Sequence, residues 1–148
     1  MNYEEHLKAH AAKLEDDAKK KEQAAADHLI ALEVASKEGQ GLVLSVIKPE
    51  LEKLEAALHA AHKQCTVKTS KKKVSSKIEI EYEIEIQLHS SPNVLKFEAR
   101  PVEKAFRVSH HCPKLHNGAH EQDVGYKHND SEFVQKKCEE FMRLGFPI

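Results

Sequence analysis

Residues 77–88 read KIEIEYEIEIQL, and no other stretch restricts the fold of the chain as much. Ile78, Ile80, Tyr82, Ile84, Ile86 and Leu88 fall on one side of an extended strand. Glu79, Glu81, Glu83, Glu85 and Gln87 fall on the other. One dry face and one wet face are the pattern of an antiparallel sheet covered on a single side. The residues SSPN supply a turn after this strand, and VLKFEAR reads as the return strand with Leu95, Phe97 and Ala99 inward. EKAFRVSH continues with Phe106 and Val108 inward, and TVKTS reads as a weaker strand before the long one. The expectation is a sheet of about four strands.

Helices must cover the dry face. The spacing of Leu7, Ala11, Leu14, Ala18, Ala25, Leu29 and Leu32 predicts one long helix over residues 2–38. In a heptad frame Ala11, Ala18, Ala25 and Leu32 share one seam position, and Leu7, Leu14, Lys21, His28 and Ala35 the other. That seam is thin, because each Ala buries far less than a Leu, and it suits close packing against another helix. KEGQG, residues 37–41, reads as a break. A second helix then runs from Pro49 to about His62 with Leu51, Leu54, Leu58 and Ala61 as its stripe, so the first half is expected to be a helical hairpin. Near the end, Asn129 and Glu132 resemble a capping box. Val134, Cys138, Phe141 and Met142 form an apolar face, and Gly145 and Pro147 stop the helix. The order is α-α-β-β-β-β-α, hence α+β: a helical arm over 1–64, then sheet and C-terminal helix over 65–148, as one cooperative domain.

Composition narrows the function classes. A formal net charge of −1 over 148 residues gives no general attraction to nucleic acid or to an acidic membrane. The longest apolar-rich stretch, GLVLSVI, is far too short to span a bilayer. The start of the chain lacks the apolar core of a secretory signal, and three widely spaced cysteines without a CxxC read as reduced thiols. A cytoplasmic protein is the expectation.

Few residues promise chemistry. The Glu79, Glu81, Glu83, Glu85 row sits ~6.6 Å apart along its strand. It could form a cation-binding or interaction face, but Lys68, Lys96, Arg100 and Arg107 on the flanking strands would satisfy it by cross-strand pairing. The six lysines between Lys63 and Lys77 have no aromatic interleaving for base stacking and read as a solvated hairpin loop. Neither GxSxG nor HExxH occurs. His59 and His62 stand three apart on the second helix, read as having no acidic or thiol companion at the next turn.

The segment HHCPKLHNGAHEQDVGYKHN, residues 110–129, carries five of the eleven histidines. Cys112, His116 and His120 follow at four-residue steps with His110, His111 and His128 nearby, a donor set and spacing that zinc accepts. A Cys112–His nucleophile pair is conceivable there, although no acid or amide can be named to orient the imidazole. The alternative is a polar surface connection.

The leading expectation is therefore a non-enzymatic, self-associating interaction protein. Its working surfaces would be the long helix (Leu7, Leu14, Leu29, Leu32) and the charged sheet face. A zinc-binding loop at Cys112 is the rival, and a small enzyme at the same loop the third reading.

Overall fold

The computed structural model describes residues 2–148. The α+β expectation holds: a long N-terminal helix, an antiparallel sheet and a C-terminal helix. Helix α1 spans Tyr3–Leu42 and α2 spans Lys48–Ala60, joined by a π-helical turn over Val43–Ile47. The hairpin is not formed. Leu42, Val43, Ile47 and Lys48 all keep right-handed helical dihedrals, so the two segments make one continuous rod.

The reason lies in the glycines. A reversal at KEGQG would call for left-handed backbone, and neither Gly39 nor Gly41 has positive φ. Gly39 is instead buried against the sheet, where a Cβ would stand 2.5 Å from the Tyr126 hydroxyl oxygen. It permits a close approach rather than a turn. One glycine costs a helix interior only about 1 kcal/mol, which packing on a sheet easily offsets. The π turn brings the buried set Ala35, Ser36, Gly39 and Val43 into line with Ile47, Leu51, Leu54 and Leu58 downstream.

The sheet has five strands rather than about four: β1 (Cys65–Lys73), β2 (Glu79–Leu88), β3 (Val94–Arg100), β4 (Ala105–His111) and β5 (Ala119–Gly125). Their spatial order is their chain order, all antiparallel. The fifth strand comes from the histidine-rich segment. Ile84, Ile86, Leu88, Leu95, Phe97, Phe106 and Val108 face the helices, and each is 2% exposed or less. Val43, Ile47, Leu51 and Leu58 cover them, with Val134 and Phe141 of α3 (Ser131–Gly145). The cap of α3 is Asp130, whose carboxylate accepts from the Phe133 N–H at 2.9 Å; Asn129, the expected cap, is buried one position earlier.

This core engages only part of the rod. Every residue from 2 to 31 is exposed, so some 30 residues, ~45 Å of helix, project beyond the sheet. No described helix is long and apolar enough to cross a membrane.

Candidate functional site

The projecting arm forms because its sequence is intrinsically helical. It is rich in Ala, Lys, Glu and Gln, Asn2 caps it by accepting from the Glu5 N–H at 3.2 Å, and Glu4 and Glu5 complement its dipole. Ion pairs one turn apart support it: Glu4–Lys8 at 3.8 Å, Glu15–Lys19 at 3.7 Å and Asp16–Lys20 at 3.1 Å.

Its apolar residues are left bare. Tyr3, Leu7, Leu14 and Leu29 are 77%, 64%, 58% and 44% exposed. With Ala18 and Ala25 they recur at alternating steps of four and seven, an eleven-residue repeat. Eleven residues in three turns is ~3.67 per turn, close to the ~3.6 of an unstrained helix, so the stripe runs nearly straight. Continued through half-buried Leu32, it reaches Ser36, Gly39 and Val43, the residues that pack on the sheet. The arm is thus the unburied extension of a face already used for packing.

The two flanks of the stripe differ in charge. About 60–80° to one side lie Glu4, Glu15, Glu22 and Glu33. A similar turn to the other side brings His10, Lys21 and His28, with Asp17 the exception among them.

Two of the four glutamates of β2 are paired within the sheet. Glu85 meets Lys68 at 3.6 Å and Glu83 meets Lys96 at 3.7 Å. Arg107 turns the other way, to Glu121 and Asp123 of β5 at 3.0 and 3.1 Å, and the Asp123 carboxyl is held below its ordinary range by that hydrogen bond. Arg100 lies 3.6 Å from Glu98. Past a bulge at Ser70/Lys71, Glu81 and Glu79 face Lys71 and Lys73 in register.

The histidine-rich segment is divided among several environments. His110 is a core residue, 2% exposed, with its Nε2 2.5 Å from the Asn93 Oδ1 while the Asn93 amide donates to the Phe141 carbonyl. Burial pushes its pKa down. His111 is exposed on the opposite sheet face, Cys112 is buried, and His116 lies exposed in the tight turn that leads to His120 on β5. His128 stands beyond the far end of β5. No three of these donors come within ligating reach of one another.

Among the described residues the group that does so is Glu55, His59 and Cys65, whose ligand atoms all lie within 4.8 Å of one another. Glu55 is one turn before His59 on α2, and Cys65 opens β1 just after the helix ends. His59 thus has an acidic companion at the preceding turn and a thiol beyond the helix end, neither of which a reading of the next turn alone would find. The i, i+4 spacing of Glu55 and His59 was legible; the return of Cys65 across the helix–strand junction was not. The Cys65 thiol is pushed up by burial and by Glu55, and the Cys138 thiol to about 12 by burial and by Glu50 and Glu139. Both are protonated at neutral pH and poor nucleophiles.

Comparison with known proteins finds no matching family model, curated protein or solved structure.

Proposed function

We propose that this protein is a non-enzymatic assembly module whose helical arm pairs with the arm of a second copy, parallel and in register. The observation that carries the reading is the bare apolar stripe over residues 3–29, continuous with the face that packs on the sheet.

Charge favours one direction of pairing over the other. In a parallel pair related by a twofold axis along the helices, the left flank of one arm meets the right flank of the other. Glu4, Glu15 and Glu22 then approach the flank of the second copy that carries Lys21, with His10, His28 and, unfavourably, Asp17. In an antiparallel pair each flank meets its own kind, glutamate against glutamate. At mid-arm the adjacent Lys21 and Glu22 lie on opposite flanks, so a parallel pair places Lys21 of each copy beside Glu22 of the other. The paired arms would carry both sheet domains at the same end.

Sedimentation equilibrium on the full chain at micromolar concentration tests association, with a dimer expected. Leu14→Asp removes a stripe leucine from both copies; at half burial each that is about 2–3 kcal/mol, roughly a hundredfold weaker pairing. A monomeric mass for the unaltered chain refutes self-association. Direction is tested separately with Tyr3→Cys: a disulfide-linked dimer on mild oxidation is expected, and a dimer that fails to cross-link at this position refutes the parallel arrangement.

A further inference from the structure

We propose that Glu55, His59 and Cys65 form a binding site for a divalent metal ion of the zinc class, with one coordination position left open to water. The site lies where α2 hands the chain to β1, away from the exposed stripe of the arm, and stands independently of self-association.

The donor set suits such an ion. Thiolate, imidazole and carboxylate are the three side-chain ligands zinc takes, and a three-ligand site retains a fourth position for water or a small anion. A thiolate and a carboxylate together carry two negative charges, which a divalent cation neutralises in this half-buried setting. Without a cation, Glu55 and the Cys65 sulfur disfavour each other's charge; with one bound, that repulsion becomes common attraction.

Backbone contacts hold two of the three ligands near the site. The Val67 N–H donates to Oε2 of Glu55 at 3.3 Å, which tethers the carboxylate at the helix–strand junction. Nε2 of His59 lies 3.4 Å from the Cys65 carbonyl oxygen, a contact that keeps the imidazole beside the Cys65 end of the group. Donors around a tetrahedral zinc stand about 3.5 Å apart. Closing from the separations seen here takes about 1 Å, within reach of side-chain rotation by His59, which is exposed, and Glu55, which is half exposed. Cys65 is fixed in the core and need not move. Binding expels the thiol proton to solvent, so affinity rises with pH.

The chain's other histidines will hold transition metals weakly, so the test must see the sulfur. Cobalt(II) titrated into the full chain is expected to bind at one equivalent, with a thiolate-to-cobalt charge-transfer band and visible bands of tetrahedral intensity, both removed by added zinc. Cys65→Ser should abolish the charge-transfer band. Glu55→Gln and His59→Ala, at positions outside the core, should weaken binding at least tenfold with the circular dichroism spectrum unchanged. Cys112→Ser should leave the titration as it was. Absence of the band at excess cobalt, its persistence in Cys65→Ser, or its loss in Cys112→Ser would each overturn the assignment.

Discussion

Alanine at position 39 separates the packing role of Gly39 from a role as helix breaker. In an exposed helix, Gly→Ala stabilises by about 1 kcal/mol, because the backbone loses less freedom on folding. Here the new methyl would stand 2.5 Å from the Tyr126 hydroxyl oxygen, 3.1 Å from its ring carbon Cζ and 3.3 Å from the Ala99 Cβ. The ring has little room to retreat: Tyr126 is 6% exposed and tilts against Phe106 at a centroid distance of 5.1 Å. Overpacking of this kind costs about 1–3 kcal/mol. The sum is a net loss of about 1 kcal/mol, opposite in sign to the exposed-helix value. Tyr126→Phe supplies the control. The hydroxyl oxygen is buried with no hydrogen-bond partner, and the same burial raises its pKa to about 12. Removing it should be neutral or stabilising, since an unpaired buried polar group costs about 1–3 kcal/mol. With the oxygen gone, alanine at 39 still meets the ring carbon at 3.1 Å and the Ala99 Cβ at 3.3 Å, and should recover part of its helical advantage. Urea unfolding of the four proteins, followed by far-ultraviolet circular dichroism, gives the coupling directly; about 1–2 kcal/mol is expected. If Gly39→Ala stabilises the otherwise unaltered chain by about 1 kcal/mol and shows no coupling to Tyr126→Phe, the helix does not pack on the sheet as described.

Three further outcomes follow from named contacts. His110 is buried with its pKa below the ordinary ~6.5, so the unfolded chain binds its proton more readily. Its contribution to stability is present above ~6.5 and lost as pH falls from there toward the folded value, by at most about 1.4 kcal/mol per pH unit. Urea midpoints at pH 7.5 and 5.5 should fall further for the unaltered chain than for His110→Gln, and equal falls would refute the assignment. Deletion of residues 2–31, none of them buried, should leave the unfolding free energy of the remaining domain within about 0.5 kcal/mol of the full chain at concentrations low enough to hold it monomeric; a loss of several kcal/mol would mean that the arm is docked. Lys96→Glu sets like charges beside Glu83 and opposite Glu85 and should cost about 1 kcal/mol, shrinking in high salt, whereas Lys96→Met should cost less; salt-independent losses would show that charge is not the cause.

The sheet was legible in the sequence wherever burial imposed a strict period of two. Ile84, Ile86, Leu95, Phe97, Phe106 and Val108 are core residues, as their alternation requires. The fifth strand was hidden because it is an edge strand. His120, Gln122 and Val124 share the face of His110, Val108 and Phe106 across the register, yet only Val124 is apolar, so AHEQDVG shows no alternation. The same parity explains His110. Spacing alone offered it as a ligand, but an even-numbered β4 position points into the core, where Asn93 receives it. KEGQG failed as a boundary signal for a related reason. Glycine marks both turns and close approaches, and only the position of Tyr126, 87 residues later in the chain, decides between them. Cys65 was beyond local reading too, since its approach to Glu55 depends on how the chain reverses between α2 and β1.

The rod's continuity bears on how an arm of this kind can associate at all. An isolated helix of some 30 residues faces a nucleation cost that leaves it partly unfolded in water. Here nucleation is already accomplished downstream, because Val43, Ile47, Leu51 and Leu58 are locked onto the sheet and the arm extends from them in unbroken helical conformation. Each further residue then requires only propagation, which Ala, Lys, Glu and the i, i+4 ion pairs favour. A partner of the proposed kind would meet a surface ordered in advance, and little of the free energy gained in pairing would be offset by folding the arm. On the proposed reading, that preorganisation would let a stripe of a few leucines and alanines, too thin for a free peptide, serve as an interface. It also predicts that the arm stays helical when pairing is blocked: Leu14→Asp should dissociate the proposed dimer with no more than a few per cent loss of helical circular dichroism. A large loss would mean that the arm folds only on binding, and that the rod ends close to the sheet.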